Sequence, residues 1–302
     1  MSPSSVPLPL SFNYAKALGY NSTPAAIVFA IFYVPLVSFF AWKSLKHPTY
    51  FHLILVIFCT IRLIAFIIRA ILSGNESAGE SLGLLITDEV LFGVGFAGLL
   101  YSSYTLILDR YSLHSKSMPR TSSSRISQLL LNRSIFRVAL VTGVGLGIAA
   151  STRTSNASHG TDGTTRSLHE ASTLILLILT TFLAILALLL LRQQMRDPPL
   201  AHHSYEPTGP NSGAANSPNM TLESNNYTQV GIPFGQSYGA QILCLVSFLL
   251  LVREAFNTGT VQDSKRGNEE QLWYPFVALP EVLAVVLFMI PGLVPMKTEL
   301  PR

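Results

Sequence analysis

Charged residues are scarce in this sequence. Asp, Glu, Lys and Arg together account for 12% of the 302 residues, whereas hydrophobic residues account for 49%. Soluble globular domains carry about 25% charged residues, because a folded chain needs a polar surface in water. The composition therefore excludes a soluble globular domain and predicts an integral membrane protein. We attribute the formal net charge of +4 to cytoplasmic loops, so no nucleic-acid partner is expected.

Cysteine is rare and no histidine lies centrally in an apolar run, and each absence excludes a class of site. The two cysteines, Cys59 and Cys244, both lie in apolar runs, where the disulfide framework of a secreted protein would not place them. The positions of the seven histidines do not suit an intramembrane zinc site, and no P-loop is present. We therefore expect no disulfide, no metal, no cofactor and no catalytic residues, and we do not expect an enzyme.

Long apolar runs, by contrast, are abundant. A helix that spans a bilayer needs about 20 mainly apolar residues. Segments that approach this length are 24–42, 51–72, 83–108, 136–151, 171–191, 236–256 and 273–294. The fourth of them is short and rich in glycine. The sequence therefore predicts an all-α fold, a polytopic membrane protein with a bundle of seven transmembrane helices.

The distribution of lysine and arginine predicts the orientation of this bundle. These residues concentrate in the segments that would be cytoplasmic if the N-terminus were outside, so the positive-inside rule favours N-out and C-in. The long connection before the sixth span is rich in Pro, Ser, Asn and Gly, which is typical of a disordered loop. The predicted parts are an extracellular segment (1–23), five helices with short loops (24–192), a disordered cytoplasmic loop (193–235), two further helices (236–296) and a cytoplasmic tail (297–302).

Several charged residues nevertheless fall inside the predicted spans. They are Arg62, Arg69, Asp88, Glu89, Arg253, Glu254 and Glu281. A charge at the centre of a transmembrane helix costs roughly 2.5 to 3.5 kcal/mol on insertion scales, so such residues pair with one another or line a wet cavity. In the predicted orientation all of them lie between the midplane and the outer surface of the membrane.

The spacing of these charges predicts particular pairs. Arg62 and Arg69 are two helical turns apart and share one face, which allows Arg62 to meet Glu281, and Arg69 to meet Asp88 or Glu89. We therefore predict an outward-opening polar cavity among the second, third, sixth and seventh helices, with the intramembrane charges as its ligand-binding residues. The alternative is that the same ion pairs only fasten the helices together.

Two glycine patterns indicate close helix packing. Gly93, Gly95 and Gly98 match the letters of a dinucleotide-binding motif, but they lie within a predicted span and follow no strand. Gly143 and Gly147 form a ridge of small residues in the fourth span. Both patterns are typical of transmembrane helices that approach a neighbour closely.

The triplet Asp109-Arg110-Tyr111 at the end of the third span favours a second interpretation. Rhodopsin-like receptors carry such a triplet at this position. Their other marks are missing here, namely a Cys at the outer end of the third span, Cys-Trp-x-Pro in the sixth and Asn-Pro-x-x-Tyr in the seventh. A charged pair followed by tyrosine is also typical of an interfacial anchor. A receptor-like signalling protein is therefore the alternative function, followed by a structural membrane subunit without a ligand.

The order of these features resembles fungal seven-helix membrane proteins. The stretches that carry the resemblance are IRLIAFIIRAI with Arg62 and Arg69, GFAGLLYSSYTLILDR, LLLVREAF with Arg253 and Glu254, and EEQLWYPFVALPE ending at Glu281. They resemble a fungal family of unassigned function and, more distantly, the fungal lipid-translocating exporter or aminocholesterol-resistance family. That exporter family has an acid and Gly-Tyr before the arginine of the second span, and an aspartate where this sequence has Pro280-Glu281. The resemblance implies export of lipids or toxic hydrophobic molecules.

These observations predict a multi-pass membrane protein that handles a lipid or another amphipathic small molecule, by transport, translocation or resistance. The expected partners are membrane lipids and an amphipathic ligand. The intramembrane charges would hold the headgroup of that ligand or gate its path.

Overall fold

The computed structural model describes residues 13–46, 48–115, 133–156, 163–196 and 234–295. Seven helices within these ranges are long and apolar enough to cross a membrane. They are Thr23–Lys46, Tyr50–Gly74, Leu82–Ser115, Arg133–Asn156, Gly163–Arg196, Gly239–Thr260 and Glu270–Leu287. The predicted all-α bundle of seven transmembrane helices is confirmed. The fourth helix is longer than the predicted 136–151. Most of the loop predicted at 193–235, and the tail 297–302, lie outside the described residues.

The helices pack in chain order, and the third lies at the centre of the bundle. Each spanning helix contacts the next along the chain, and the seventh also contacts the first. The third helix touches the second, fourth, fifth and sixth. Its side chains at Phe96, Leu99, Ser103 and Tyr104 are fully buried. This central position explains why the third helix contributes to every site described below.

The fourth and fifth helices meet across the predicted glycine ridge. The Ser172 hydroxyl donates to the carbonyl oxygen of Gly143 over 2.7 Å. A Cβ atom placed on Gly147 would lie 2.9 Å from the same hydroxyl, and one placed on Gly143 would lie 3.1 Å from Ile175. The close packing predicted for this ridge is therefore confirmed.

The seventh span, predicted over 273–294, consists of three helical parts and ends earlier than predicted. It comprises an α-helical turn (Glu270–Trp273), a wider π-helical turn (Tyr274–Ala278) and a second α-helical part (Leu279–Leu287). Pro280 has no N–H to donate and its ring crowds the carbonyl group one turn earlier, which favours the wider turn before it. The chain then leaves the helix through turns that include Gly292 at a φ of 81°. The span therefore ends at Leu287.

Arg110 organises the end of the bundle at which the seventh helix terminates. Its guanidinium group donates to the carbonyl oxygens of Leu293 (2.7 and 2.9 Å), Gly235 (2.7 Å) and Gly292 (2.8 Å). The side chain is buried, so the prediction of an interfacial anchor is wrong for Arg110. Its neighbour Asp109 forms an ion pair with Arg133 over 2.5 Å.

The opposite end of the bundle is covered by the chain that precedes the first helix. Tyr14–Ala17 forms one helical turn, and Gly19, at a φ of 97°, reverses the chain so that Tyr20 points inward. Ala15 and Tyr20 are buried with Leu72 and Leu85 in a small separate core. The described part of the predicted N-terminal segment 1–23 is thus folded against the second and third helices.

Candidate functional site

Four of the predicted site residues form one continuous buried ion-pair network. Arg62 Nη2 lies 2.6 Å from Glu281 Oε1, and Arg253 Nε lies 2.8 Å from the same oxygen. Arg253 Nη1 also lies 2.6 Å from Glu254 Oε2. The predicted pair of Arg62 and Glu281 is confirmed. Glu254 is 1% exposed, so it is a buried member of the network rather than a residue of the membrane interface.

Aromatic and small residues of the third helix make room for the arginines of this network. The guanidinium carbon of Arg62 lies 4.6 Å from the ring centre of Phe92, and that of Arg253 lies 3.7 Å from the ring centre of Phe96. A Cβ atom on Gly95 would lie only 3.2 Å from the Arg62 guanidinium. Gly95 therefore has the packing role predicted for it, because a larger residue would push Arg62 away from Glu281.

Arg69 belongs to a second polar cluster, in which the contacts are longer. This cluster lies closer than the first network to the N-terminal end of the first helix. Arg69 Nη1 lies 3.7 Å from Asp88 Oδ2, which confirms the predicted pair of Arg69 with Asp88. The Tyr20 hydroxyl donates to the same carboxylate oxygen over 3.2 Å. Burial raises the pKa of Tyr20 well above its ordinary value, so the phenol stays protonated and acts as a donor.

Arg69 is also held between two aromatic rings. Its guanidinium carbon lies 3.6 Å from the ring centre of Trp273 and 4.1 Å from that of Tyr20. Trp273 and Tyr274 are both less than 10% exposed and pack inside the bundle. Contacts of this kind between a desolvated cation and an aromatic ring are worth about 2 kcal/mol.

Glu89 forms no ion pair with an arginine of the described residues. Its side chain is exposed on the wall of a cavity, where the Ser151 hydroxyl lies 3.4 Å from Glu89 Oε2. Arg69 pairs with the neighbouring Asp88 and not with Glu89. Of the seven predicted charges, three arginines and three carboxylates are therefore joined in ion pairs. The fourth carboxylate, Glu89, faces the cavity.

The cavity has a volume of about 220 Å³. Its polar lining comes from seven parts of the chain and comprises Tyr20, Arg69, Asp88, Glu89, Ser151, His169, Ser172, Thr173, Arg253, Glu254, Asn257, Thr260 and Asn268. All four helices predicted to form the cavity, the second, third, sixth and seventh, contribute to its wall, and the fourth and fifth helices, which were not predicted, contribute as well. Arg62 and Glu281 are fully buried and do not line the cavity. Gly93 of the third helix does line it, and its Cβ position is open.

A second, apolar depression adjoins the polar cavity. It has a volume of about 620 Å³ and lies along the second, third and fourth helices, from Ile61 to Tyr101 and Arg137. We call it the apolar groove. Val94, Val144 and Ile148 line both the groove and the polar cavity. The two spaces therefore share one wall of three side chains.

Two glycines leave open space in these walls. A Cβ atom on Gly93, in the polar cavity, or on Gly145, in the apolar groove, would meet no atom within 4 Å. Gly93 therefore does not have the packing role predicted for it. Tyr20, Trp273 and Ser151 were not predicted to belong to the site, because none of them is charged.

The site offers no arrangement for metal binding in the part of the chain that the structure describes, where no group of three His, Cys, Asp or Glu side chains is suitably placed. The polar cavity instead combines buried arginine donors with carboxylate acceptors. Such a lining suits the headgroup of an organic molecule.

The family described as "Domain of unknown function (DUF7702)" matches residues 22–203, which is more than half of the 302-residue chain. The chain belongs to the DUF7702 family. No curated protein and no solved structure matches the chain. The DUF7702 match contains the first five helices, with Arg62, Arg69, Asp88 and Glu89. The carboxylate and arginine residues of the sixth and seventh helices lie beyond it.

Proposed function

We propose that this membrane protein binds and translocates a lipid or a similar amphipathic molecule. The headgroup occupies the polar cavity, and the apolar chain lies in the apolar groove. The observation that carries this proposal is the shared wall of Val94, Val144 and Ile148, which places a charged space directly beside an apolar one. An amphipathic molecule that lies across this wall buries both of its parts in matching surroundings.

The polar cavity has unused hydrogen-bonding capacity for a headgroup. Arg69 Nε, Arg69 Nη2 and Asp88 Oδ1 are buried without a hydrogen-bond partner among the residues that the structure describes. A buried polar group without a partner costs about 1–3 kcal/mol. A headgroup with both acceptors and donors would satisfy these atoms, and Glu89 would accept a further hydrogen bond.

The apolar groove suits a hydrocarbon chain. Ile57, Val141 and Leu140 are among its lining residues, and Ile57 and Val141 are largely exposed on the outside of the bundle. In a bilayer this surface faces lipid, so a chain reaches the groove sideways from the membrane without crossing water. The predicted N-out orientation would place the polar cavity in the outer half of the membrane.

The alternative function, a receptor that signals through Arg110, is less well supported than lipid binding. The Arg110 guanidinium is buried and bonded to three backbone carbonyl groups. Arg110 therefore acts within the fold and is not displayed to a cytoplasmic partner.

Filling either space should prevent binding of a lipid. In nanodiscs that contain phosphatidylcholine with a photoactivatable acyl chain, we expect Gly145→Leu to reduce cross-linking to the protein about tenfold, because the leucine occupies the space of about two methylene groups at about 0.8 kcal/mol each. Gly93→Leu should reduce transfer of a fluorescent phosphatidylcholine between the leaflets of proteoliposomes by a similar factor. Quenching of the fluorophore outside the vesicles measures that transfer.

Gly83→Leu is the matched control for both variants. Gly83 lies on the third helix, its Cβ position is also open, and it is not among the residues that line the cavity or the groove. If Gly93→Leu and Gly145→Leu behave like Gly83→Leu in both assays, the proposal is wrong. If the lipid is cross-linked to the protein but is not transferred between the leaflets, the protein binds lipid and the proposal of translocation is wrong.

A further inference from the structure

Tyr20 sits in the polar cluster of Arg69 as a ligand would. The ring lies against the Arg69 guanidinium, the hydroxyl donates to Asp88, and the side chain is 1% exposed. Tyr20 nevertheless belongs to no spanning helix. It enters the cluster from the segment that precedes the first helix, which we call the N-terminal strap (residues 13–22).

The hydrogen bonds of this cluster are incomplete. The Arg69–Asp88 ion pair is 3.7 Å long, compared with 2.6 and 2.8 Å for the pairs that Glu281 forms. Asp88 Oδ1, Arg69 Nε and Arg69 Nη2 have no hydrogen-bond partner in the described ranges. One phenol hydroxyl cannot satisfy three such atoms, so a group with a second oxygen would fit the same place better.

Outside this cluster the strap is attached through the small core around Ala15 and through a few polar contacts at its surface. The Lys16–Glu76 ion pair is 2.8 Å long, but both side chains are more than half exposed, so it contributes little. The backbone N–H groups of Asn21 and Ser22 donate to Glu270 Oε1. Gly19, with its positive φ, gives the chain a turn from which Tyr20 can swing outward.

We propose that Tyr20 occupies a subsite for the ring of a phenolic amphiphile, and that such a ligand displaces the N-terminal strap on entry. Tyr20, Arg69 and Asp88 all line the polar cavity, so this inference rests on the proposed function and narrows its ligand to a class. A ring with two hydroxyl groups stacks on Arg69 as Tyr20 does. One hydroxyl donates to Asp88, and the second accepts from the free Arg69 nitrogen atoms.

The displacement is measured with a spin label at Ala17→Cys, an exposed position of the strap. The background carries Cys244→Ala and retains Cys59, which is buried. We expect hexylresorcinol to mobilise the label on the protein in nanodiscs, whereas hexylbenzene, which lacks hydroxyl groups, leaves it immobile. Tyr20→Phe should lower the required hexylresorcinol concentration about tenfold, because the strap loses its hydrogen bond to a charged acceptor. Asn21→Ala, beside it, should leave that concentration unchanged.

Binding itself is followed by the fluorescence of Trp273 in a Trp42→Phe variant, in which Trp273 is the sole tryptophan. If hexylresorcinol changes Trp273 emission and the spin label stays immobile, the ligand and Tyr20 occupy different places and the inference is overturned. It is also overturned if hexylresorcinol changes neither signal, or if hexylbenzene mobilises the strap equally. If hexylresorcinol mobilises the strap but no lipid is cross-linked to the protein, the proposed lipid function is wrong and the phenolic subsite is supported.

Discussion

Replacing Glu281 by alanine should lower the free energy of unfolding by about 3–5 kcal/mol, because it leaves two buried arginines without their shared partner. Glu281 Oε1 lies 2.6 Å from Arg62 and 2.8 Å from Arg253, and all three side chains are at most 5% exposed. Arg253 retains Glu254, whereas Arg62 retains only a long hydrogen bond of 3.4 Å to the Leu91 carbonyl oxygen. Thermal unfolding of the purified protein in detergent measures the loss.

Glu170→Ala provides the matched control for this prediction. Glu170 forms a 3.1 Å ion pair with Arg166 on the fifth helix, but that pair is largely exposed. Its removal should change the free energy of unfolding by at most about 1 kcal/mol. Equal losses for Glu281→Ala and Glu170→Ala would mean that the buried network does not hold the second, sixth and seventh helices together.

Replacing Arg110 by methionine should lower the free energy of unfolding by about 3 kcal/mol or more. The substitution keeps much of the apolar stem but removes every hydrogen bond that the guanidinium donates to Gly235, Gly292 and Leu293. Each buried carbonyl group left without a partner costs about 1–3 kcal/mol. The loss should appear as early unfolding in the same thermal assay and as a poorer yield of monodisperse protein.

Gly239→Ala tests the same contact from the opposite side. A Cβ atom on Gly239 would overlap the Arg110 guanidinium, so alanine should destabilise the protein although it favours a helix. Asp109→Asn is the control, because the Asp109–Arg133 pair is partly exposed and its loss should stay within about 1 kcal/mol. A folded Arg110→Met protein with unchanged thermal stability would contradict the structural role of Arg110.

The ion pairs inside the membrane could be predicted from the sequence, because a charged side chain is so costly in hydrocarbon. Few carboxylates lie at the depth of Arg62, so Glu281 was a predictable partner although it is 219 residues away along the chain. The same reasoning could not assign Asp88 in preference to Glu89. Their helical positions differ by one residue, or about 100° around the axis, and only the packing of the third helix determines which of them faces Arg69.

Other residues of the site could not be predicted from any pattern in the sequence. Tyr20 lies in a short connection without periodicity, and the turn at Gly19 and the small core around Ala15 determine where it points. Trp273 begins an apolar span, where a tryptophan at the interface and one stacked on an arginine have the same sequence context. Arg110 was expected to lie at the surface because the carbonyl groups that bind it belong to segments more than 100 residues away.

By itself, the sequence determined that the chain is a bundle of seven transmembrane helices and that its buried charges must pair, because hydropathy and the cost of a charge belong to each segment separately. Only the tertiary structure decided that the fourth and fifth helices also line the polar cavity, that an apolar groove shares its wall, and that Tyr20 lies against Arg69 there. These features depend on the shapes of side chains from distant helices. Gly93 and Gly145 leave space where larger residues would have closed it, and that outcome is settled only when the helices pack.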